Sequence, residues 1–326
     1  MNTYIRIISL IVIALGMSSP AFAQWYPKGN IELIVSAGPG GGNDKTARLV
    51  AKILNEKKLV SVPVIVVNKP GAGGVIAQNY LNSFPGSGNH LMVTNPALIT
   101  NALTGTGTAK YTDITPVVQL FTEYVVLLAR PKSQIKSGRE VIDSLRKDPD
   151  SLTIGIAPAA GAGMHIAIAM AVKEAGIDPT KLRIIPYSNS SDVMTALMGG
   201  HIDLMPSTPI NVLPQLENET VRVLALTSRK RLSGKLSEIP TFRELGADVE
   251  FGNWRGLVGP RSMTPDQIYF WDSVMNKLVS TPEWQAELKN QLSDSQYLSH
   301  AASKKFLDDE NQKLTRLLND LGFAKK

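Results

Sequence analysis

An α/β fold in two lobes is what this sequence predicts, and three observations carry the prediction. Short runs rich in Val, Ile and Leu alternate with segments of helical spacing. This series of strand followed by helix occurs twice along the chain. At 326 residues the chain also exceeds what one ordinary core fills. Alternation of this kind builds parallel sheets wound with helices on both faces, and a doubled series gives two such sheets joined by a hinge.

Taken in order, the chain opens with Arg6 before the apolar run 7–15, then Ala21-Phe22-Ala23. One positive charge, a short apolar stretch and small residues at an A-x-A site read as a secretory signal peptide over 1–23, with Gln24 the mature N-terminus. The run is too short to span a bilayer, and no later stretch approaches the ~20 apolar residues a membrane helix needs. With no cysteine, the exported chain has no disulfides, no thiol nucleophile and no zinc–thiolate site. A soluble protein of this size and composition suits a bacterial periplasm.

Strands are expected at 31–35, 64–67, 91–94, 125–129, 152–156, 182–185, 202–205, 221–227 and 257–259. Several are apolar throughout rather than alternating, as strands buried on both faces are. Helical spacing marks 44–54, 75–82, 138–146, 164–175 and 192–198, and the chain from 265 to 321 reads as mainly helical. Segments 124–130 and 249–260 are the expected crossings between lobes. The first lobe is then discontinuous, 24–124 with 250–326, and the second is 125–249.

Four strand-to-helix turns are the candidate binding elements. The first is Gly38 to Asp44, offering Pro39, Gly40, Gly41, Gly42, Asn43 and Asp44. The second is Asn68-Lys69-Pro70-Gly71-Ala72-Gly73-Gly74. The third contributes Ala160, Gly161, Ala162 and Gly163, and the fourth Ser188 and Asn189. Helix starts leave amides unpaired under a positive dipole end, and glycine lets an anion approach that backbone. Thr94 and Ser207, at strand ends, add hydroxyls. Lys69 is the one cation in these turns, so recognition is expected through backbone amides and small polar groups, which suits a carboxylate.

Other chemistries find no footing. Gly38–Asp44 lacks the Gly-Lys-Ser/Thr of a phosphate loop, and the dinucleotide glycine register is missing, so no cofactor is expected. The four histidines, His90, His165, His201 and His300, have no metal-ligand spacing. No nucleophile elbow or comparable pair supports an enzyme. The net charge of +6 is mild and comes without basic clusters interleaved with aromatics, which argues against nucleic acid.

The residues resemble a known family. Gly40-Gly41, Asn43-Asp44 and Ala47-Arg48 resemble the opening motif of Bug-type solute-binding proteins, the receptors of tripartite tricarboxylate transporters. Asn68 to Gly74 resembles their most recognisable motif. So do Pro186-Tyr187, Leu197-Met198-Gly199-Gly200-His201-Ile202-Asp203, Val221 to Ser228, and Trp254-Arg255-Gly256-Leu257-Val258-Gly259-Pro260. The resemblance implies a two-lobed, type II-like periplasmic binding fold that closes on a small carboxylate. The protein is then a monomer and no enzyme, with integral membrane transporter subunits as partners. A receptor that signals to a membrane kinase is the alternative, since it needs the same closure. Carried over, the contacts are Gly40 to Asp44, Gly73, Gly74, Thr94, the Ala160–Gly163 turn and Ser207. The chain departs from the family in three places. The third turn carries alanines where serines are usual. Ser188 and Asn189 replace a lysine and a glycine, and Ala196 replaces an aspartate. A less polar second wall points to a ligand with an apolar or aromatic portion, or with one carboxylate rather than three.

Overall fold

The computed structural model describes residues 25–157 and 160–325. The expected signal peptide lies outside the described residues. The larger sheet has six strands, in the order β11-β4-β10-β3-β1-β2. These are β1 Ile31–Val35, β2 Val64–Asn68, β3 His90–Thr94, β4 Ile114–Tyr124, β10 Gly252–Pro260 and β11 Asp294–Leu298. The middle strands of the second lobe are β5 Val126–Ala129, β6 Thr153–Ile156, β7 Arg183–Pro186, β8 Met205–Ser207 and β9 Arg222–Leu226. They form a three-stranded sheet, β8-β5-β9, and a parallel pair, β6-β7. A bridge between Ile154 and Leu204 links the two.

Parallel pairing holds where βα units generate it, β1 with β2 and with β3. It fails at the crossings. β10 runs antiparallel to both β3 and β4, because it is the chain returning from the second lobe rather than the next βα repeat. Segment 249–260 is therefore a full central strand as well as a crossing. The apolar-run criterion passes over β4, whose Pro116, Gln119, Thr122 and Glu123 interrupt its hydrophobic residues. It is nonetheless a buried strand, with β10 and β11 on either side.

Ten α-helices are described. In the first half they are α1 Gly42–Glu56, α2 Val75–Asn82, α3 Ala97–Thr104, α4 Gly138–Lys147 and α5 Gly163–Glu174. Then follow α6 Ser190–Gly199, α7 Pro209–Glu217, α8 Pro265–Val279, α9 Pro282–Asn290 and α10 His300–Asp320. On one face of the large sheet, Val50 and Leu54 of α1, Trp271 and Leu278 of α8 and Trp284 of α9 bury against Leu33, Leu91 and Phe121. On the other face, Leu307, Leu314 and Leu318 of α10 pack with Met92 and Val258. Ile166 and Ala169 of α5 join that second cluster, so the lobes share part of a core. Among the described residues, no helix is long and apolar enough to cross a membrane.

Candidate functional site

The first turn is held open by its own acid. Gly41 caps α1 without a side-chain hydrogen bond, so no side chain occupies the amides of the first helical turn. Asp44 is buried, and its Oδ2 accepts from the Gly40 amide at 2.9 Å and from Arg48 Nε at 2.8 Å. Its Oδ1 accepts from Asn68 Nδ2 at 2.9 Å, and that same amide group donates to the Ala37 carbonyl. One carboxylate thus ties the first turn to the second. Burial pushes its pKa up, but the donors Arg48, Gly40 and Asn68 outweigh burial and hold it below the ordinary value. Its side chain is committed to the scaffold; what it leaves for a ligand is the backbone.

The second turn leans on the first through Ser36. Asn43 Nδ2 donates to Ser36 Oγ at 2.8 Å, leaving Asn43 Oδ1 buried without a partner. Gly74 has φ 110, and a Cβ there would lie 3.1 Å from Cβ of Ser36, so both backbone conformation and closeness demand glycine. Asn101 of α3 donates to the Gly73 carbonyl at 3.1 Å. Lys69 lies over the Tyr80 ring, 4.1 Å from its centroid. Thr94 is buried at the end of β3, and lines a cavity of about 10 Å³ with Gln119, Trp254 and Ser303.

The second lobe meets this edge at its β8–α7 turn. Ser207 is buried with an unpartnered hydroxyl, and α7 starts after Thr208 with no side-chain cap. Lys45 of α1 donates across the gap to the Ile210 carbonyl at 2.7 Å. A Cβ on Gly42 would sit 2.6 Å from Nη2 of Arg255 and 3.3 Å from Oδ1 of Asn211. Two uncapped helix starts, one from each lobe, therefore face each other. Both place partial positive charge at the same junction.

Beneath them lies a buried ion pair on the crossing strands. Arg255 Nη2 meets Glu123 Oε1 at 2.6 Å, and Asn253 Nδ2 donates to the same oxygen at 3.0 Å. Burial pushes the Glu123 carboxyl up, against the pull of Arg255, Thr208 and Asn253. Burial also lowers the Lys45 ammonium, and Glu123 counters it. Lys45 and Arg255, with two helix starts, oppose the single charge of Glu123. The balance of charge at the junction is therefore positive, which favours an anion there. Lys45 and Arg255 thus stand beside the backbone amides and small polar groups that the sequence reading put forward. The signals that could have found these side chains were Arg255, a charge beside the apolar run 257–258, and Lys45 in the first helical turn; Glu123, in the interrupted strand β4, gave none.

The other two turns differ. Gly161 packs on α3 of the first lobe, where its Cβ would come 3.1 Å from Thr104. Its amide donates to Nδ1 of His165 at 2.9 Å, which fixes that imidazole's proton on Nε2. His165 is buried, stacks on Phe323 with centroids 4.5 Å apart, and is pushed down to about 4 by burial. Ala162 caps α5 without a side-chain bond, and Gly163 lies beside Phe251. In the fourth turn Ser188 and Asn189 are exposed. Asn189 caps α6, accepting from the Asp192 amide at 2.9 Å and donating to its carboxylate at 2.8 Å. That turn uses its polar groups on its own helix, and no hydrogen bond or ion pair links it to the first lobe among the described residues.

Comparison with known proteins follows this geometry. Residues 46–323 match the model of the tripartite tricarboxylate transporter family receptor. A curated relative from Cupriavidus necator, the UPF0065 protein in the gbd 5'region, is 28% identical over 316 residues, 96% of this chain and 94% of its own. Protein BugT of Bordetella pertussis is 24% identical over 331 residues, 99% and 98% of the two chains. Among solved structures, periplasmic binding protein BugD superposes with TM-score 0.82 at 23% identity, covering 92% of this chain and 100% of that one. An R. palustris protein with adipate gives 0.84 at 23%, covering 92% and 99%. MatC from Rhodopseudomonas palustris with bound malate gives 0.79 at 21%, covering 90% and 100%. At these identities the structural likenesses show a shared fold, that of the two-lobed periplasmic binding proteins.

Proposed function

The chain belongs to the tripartite tricarboxylate transporter receptor family, and from that premise we propose that it captures a small organic carboxylate for a membrane transporter. Membership makes it a solute-binding protein and not an enzyme. The observation that supports the carboxylate reading is the meeting of the α1 and α7 starts, with Lys45 and Arg255 beside them. Gly40 to Asp44, Gly73 and Gly74 supply the first wall through backbone. Ser207 and the Ala160–Gly163 turn supply the second. Closing the lobes removes water from a bound carboxylate and strengthens each hydrogen bond to it.

The ligand class follows from the alanine-rich second wall. Relatives of this fold hold adipate and malate. An acid with an apolar stretch, of the adipate kind, fits Ala160 and Ala162 better than a citrate-like tricarboxylate. Thermal-shift measurement with adipate, malate, citrate and benzoate tests this. A bound acid at about a hundred times its Kd adds about 2.7 kcal/mol of stability, which a melting curve reads directly. Stabilisation by citrate alone overturns the ligand class, and stabilisation by none of a broad carboxylate set overturns the site. Export is checked by N-terminal sequencing of the mature protein, expected to begin at Gln24.

A further inference from the structure

A second concave surface lies at the crossing between the lobes, and its lining shares no residue with the α1 and α7 starts. It is a groove of about 410 Å³ lined by Arg229, Lys230, Arg231 and Leu232 on one side and Lys289, Leu292 and Asp294 on the other, with Tyr124 at the crossing. Its walls therefore come from both lobes. The second-lobe wall is braced: Ser228 Oγ donates to the Lys230 carbonyl at 2.6 Å, Arg231 pairs with Glu244 and Arg229 with Glu250. The opposite wall is fixed by Leu292, which holds φ 54 and packs into the second lobe's apolar cluster with Leu232 and Leu236. A non-glycine residue in that region persists where its surroundings dictate it.

The charges on this rigid frame are unspent. Lys230 and Lys289 are exposed and carry no salt bridge among the described residues. Arg229 engages Glu250 through Nε alone, which leaves both terminal nitrogens of its guanidinium without a bond. Asp294 is the one acid in the lining. Each of these cations is exposed, and a single exposed pair is worth little in water. A partner carrying several carboxylates on one chain sums them, since the later contacts form at high effective concentration.

We infer that this groove is a docking site for an acidic segment of a protein partner. The inference does not depend on what the cleft between α1 and α7 binds. Leu232, Leu292 and Tyr124 give such a segment an apolar floor, while Arg229, Lys230 and Lys289 meet its carboxylates from two sides. Because the two walls belong to different lobes, the segment grips both at once.

The test uses the full mature chain and a fluorescently labelled octaglutamate peptide, read by anisotropy at low salt. Two double variants are compared, Lys230→Glu with Lys289→Glu, and Lys136→Glu with Lys147→Glu on an exposed face of the second lobe. Both pairs change net charge equally, and melting curves confirm that both fold. The expected result is peptide binding that falls at least about tenfold in the groove variant and holds in the control. Equal loss in both variants, or loss in neither, overturns the proposal. So does an unmodified protein that takes no peptide while citrate or sulfate still binds in the groove. A self-association that the groove variant abolishes assigns the surface to a second copy, and also overturns it.

Discussion

The two walls of the cleft are built by opposite means. In the first lobe, side chains hold the backbone in place: Asp44 collects Gly40, Arg48 and Asn68, and Asn43 leans on Ser36. The amides at the start of α1 are thereby fixed in place and left uncapped. In the second lobe the β8–α7 turn carries a bare hydroxyl at Ser207, the third turn is alanine and glycine, and the fourth caps itself. One wall is preorganised and polar. The other is plain and brings shape. Affinity is expected to reside in the first, and selection among acids in the second.

The largest effect should come from the pair that neither wall owns. Arg255→Met leaves Glu123 buried without its partner and is expected to cost about 3–5 kcal/mol in denaturant unfolding. Adding Glu123→Leu to it should recover much of that loss, because an apolar pair avoids the desolvation of both charges. Carboxylate binding should stay weak in the double variant, which separates a stabilising role from a binding one. Next is Asp44→Ala in the first wall. It removes a charged acceptor from three donors and is expected to cost about 2–3 kcal/mol and to weaken carboxylate binding in calorimetry. Its pKa is lowered by folding, so the stability it contributes is present above its ordinary value near 3.8 and fades as pH falls through the folded value. Asp44→Asn should flatten that part of an acid titration.

His165→Leu tests the second wall. It strands the Gly161 amide and should cost about 1–3 kcal/mol. The folded histidine titrates near 4 against an ordinary 6.5, so wild-type stability is complete above 6.5 and declines as pH drops toward 4. The variant should lose that slope between the two values while keeping its carboxylate affinity; a large loss of affinity would show that the third turn is as preorganised a wall as the first. The smallest effect is Asn189→Ala, expected to cost about 1 kcal/mol through the lost cap, with binding unchanged. A binding loss there would return the fourth turn to the cleft.

Much of this was legible in the sequence, and what was not has a physical reason. The turns at 38–44 and 68–74 stood out because glycine between an apolar strand and a helix is a local signal. β4 was hidden because its buried polar residues serve the hinge, which only tertiary contacts reveal. α7 was hidden because Pro214 stands inside it, where a helix disfavours proline, and α3 because its eight residues make too short a periodic stretch. Arg255 lies 213 positions from Gly42, which it all but touches (255 − 42). No spacing rule reaches across such a separation.

The arrangement of the large sheet also sets an order of events in the making of the molecule. β3 gains its neighbour β10 only when residues 252–260 arrive, after the whole of the middle segment. Until then one edge of the amino-terminal sheet stands open, and its closure joins residues far apart along the chain. Contacts of that range form slowly, and an unfinished edge invites chaperone capture. The large sheet is thus finished last, by the chain's final third, and its folding waits on the whole of the second lobe.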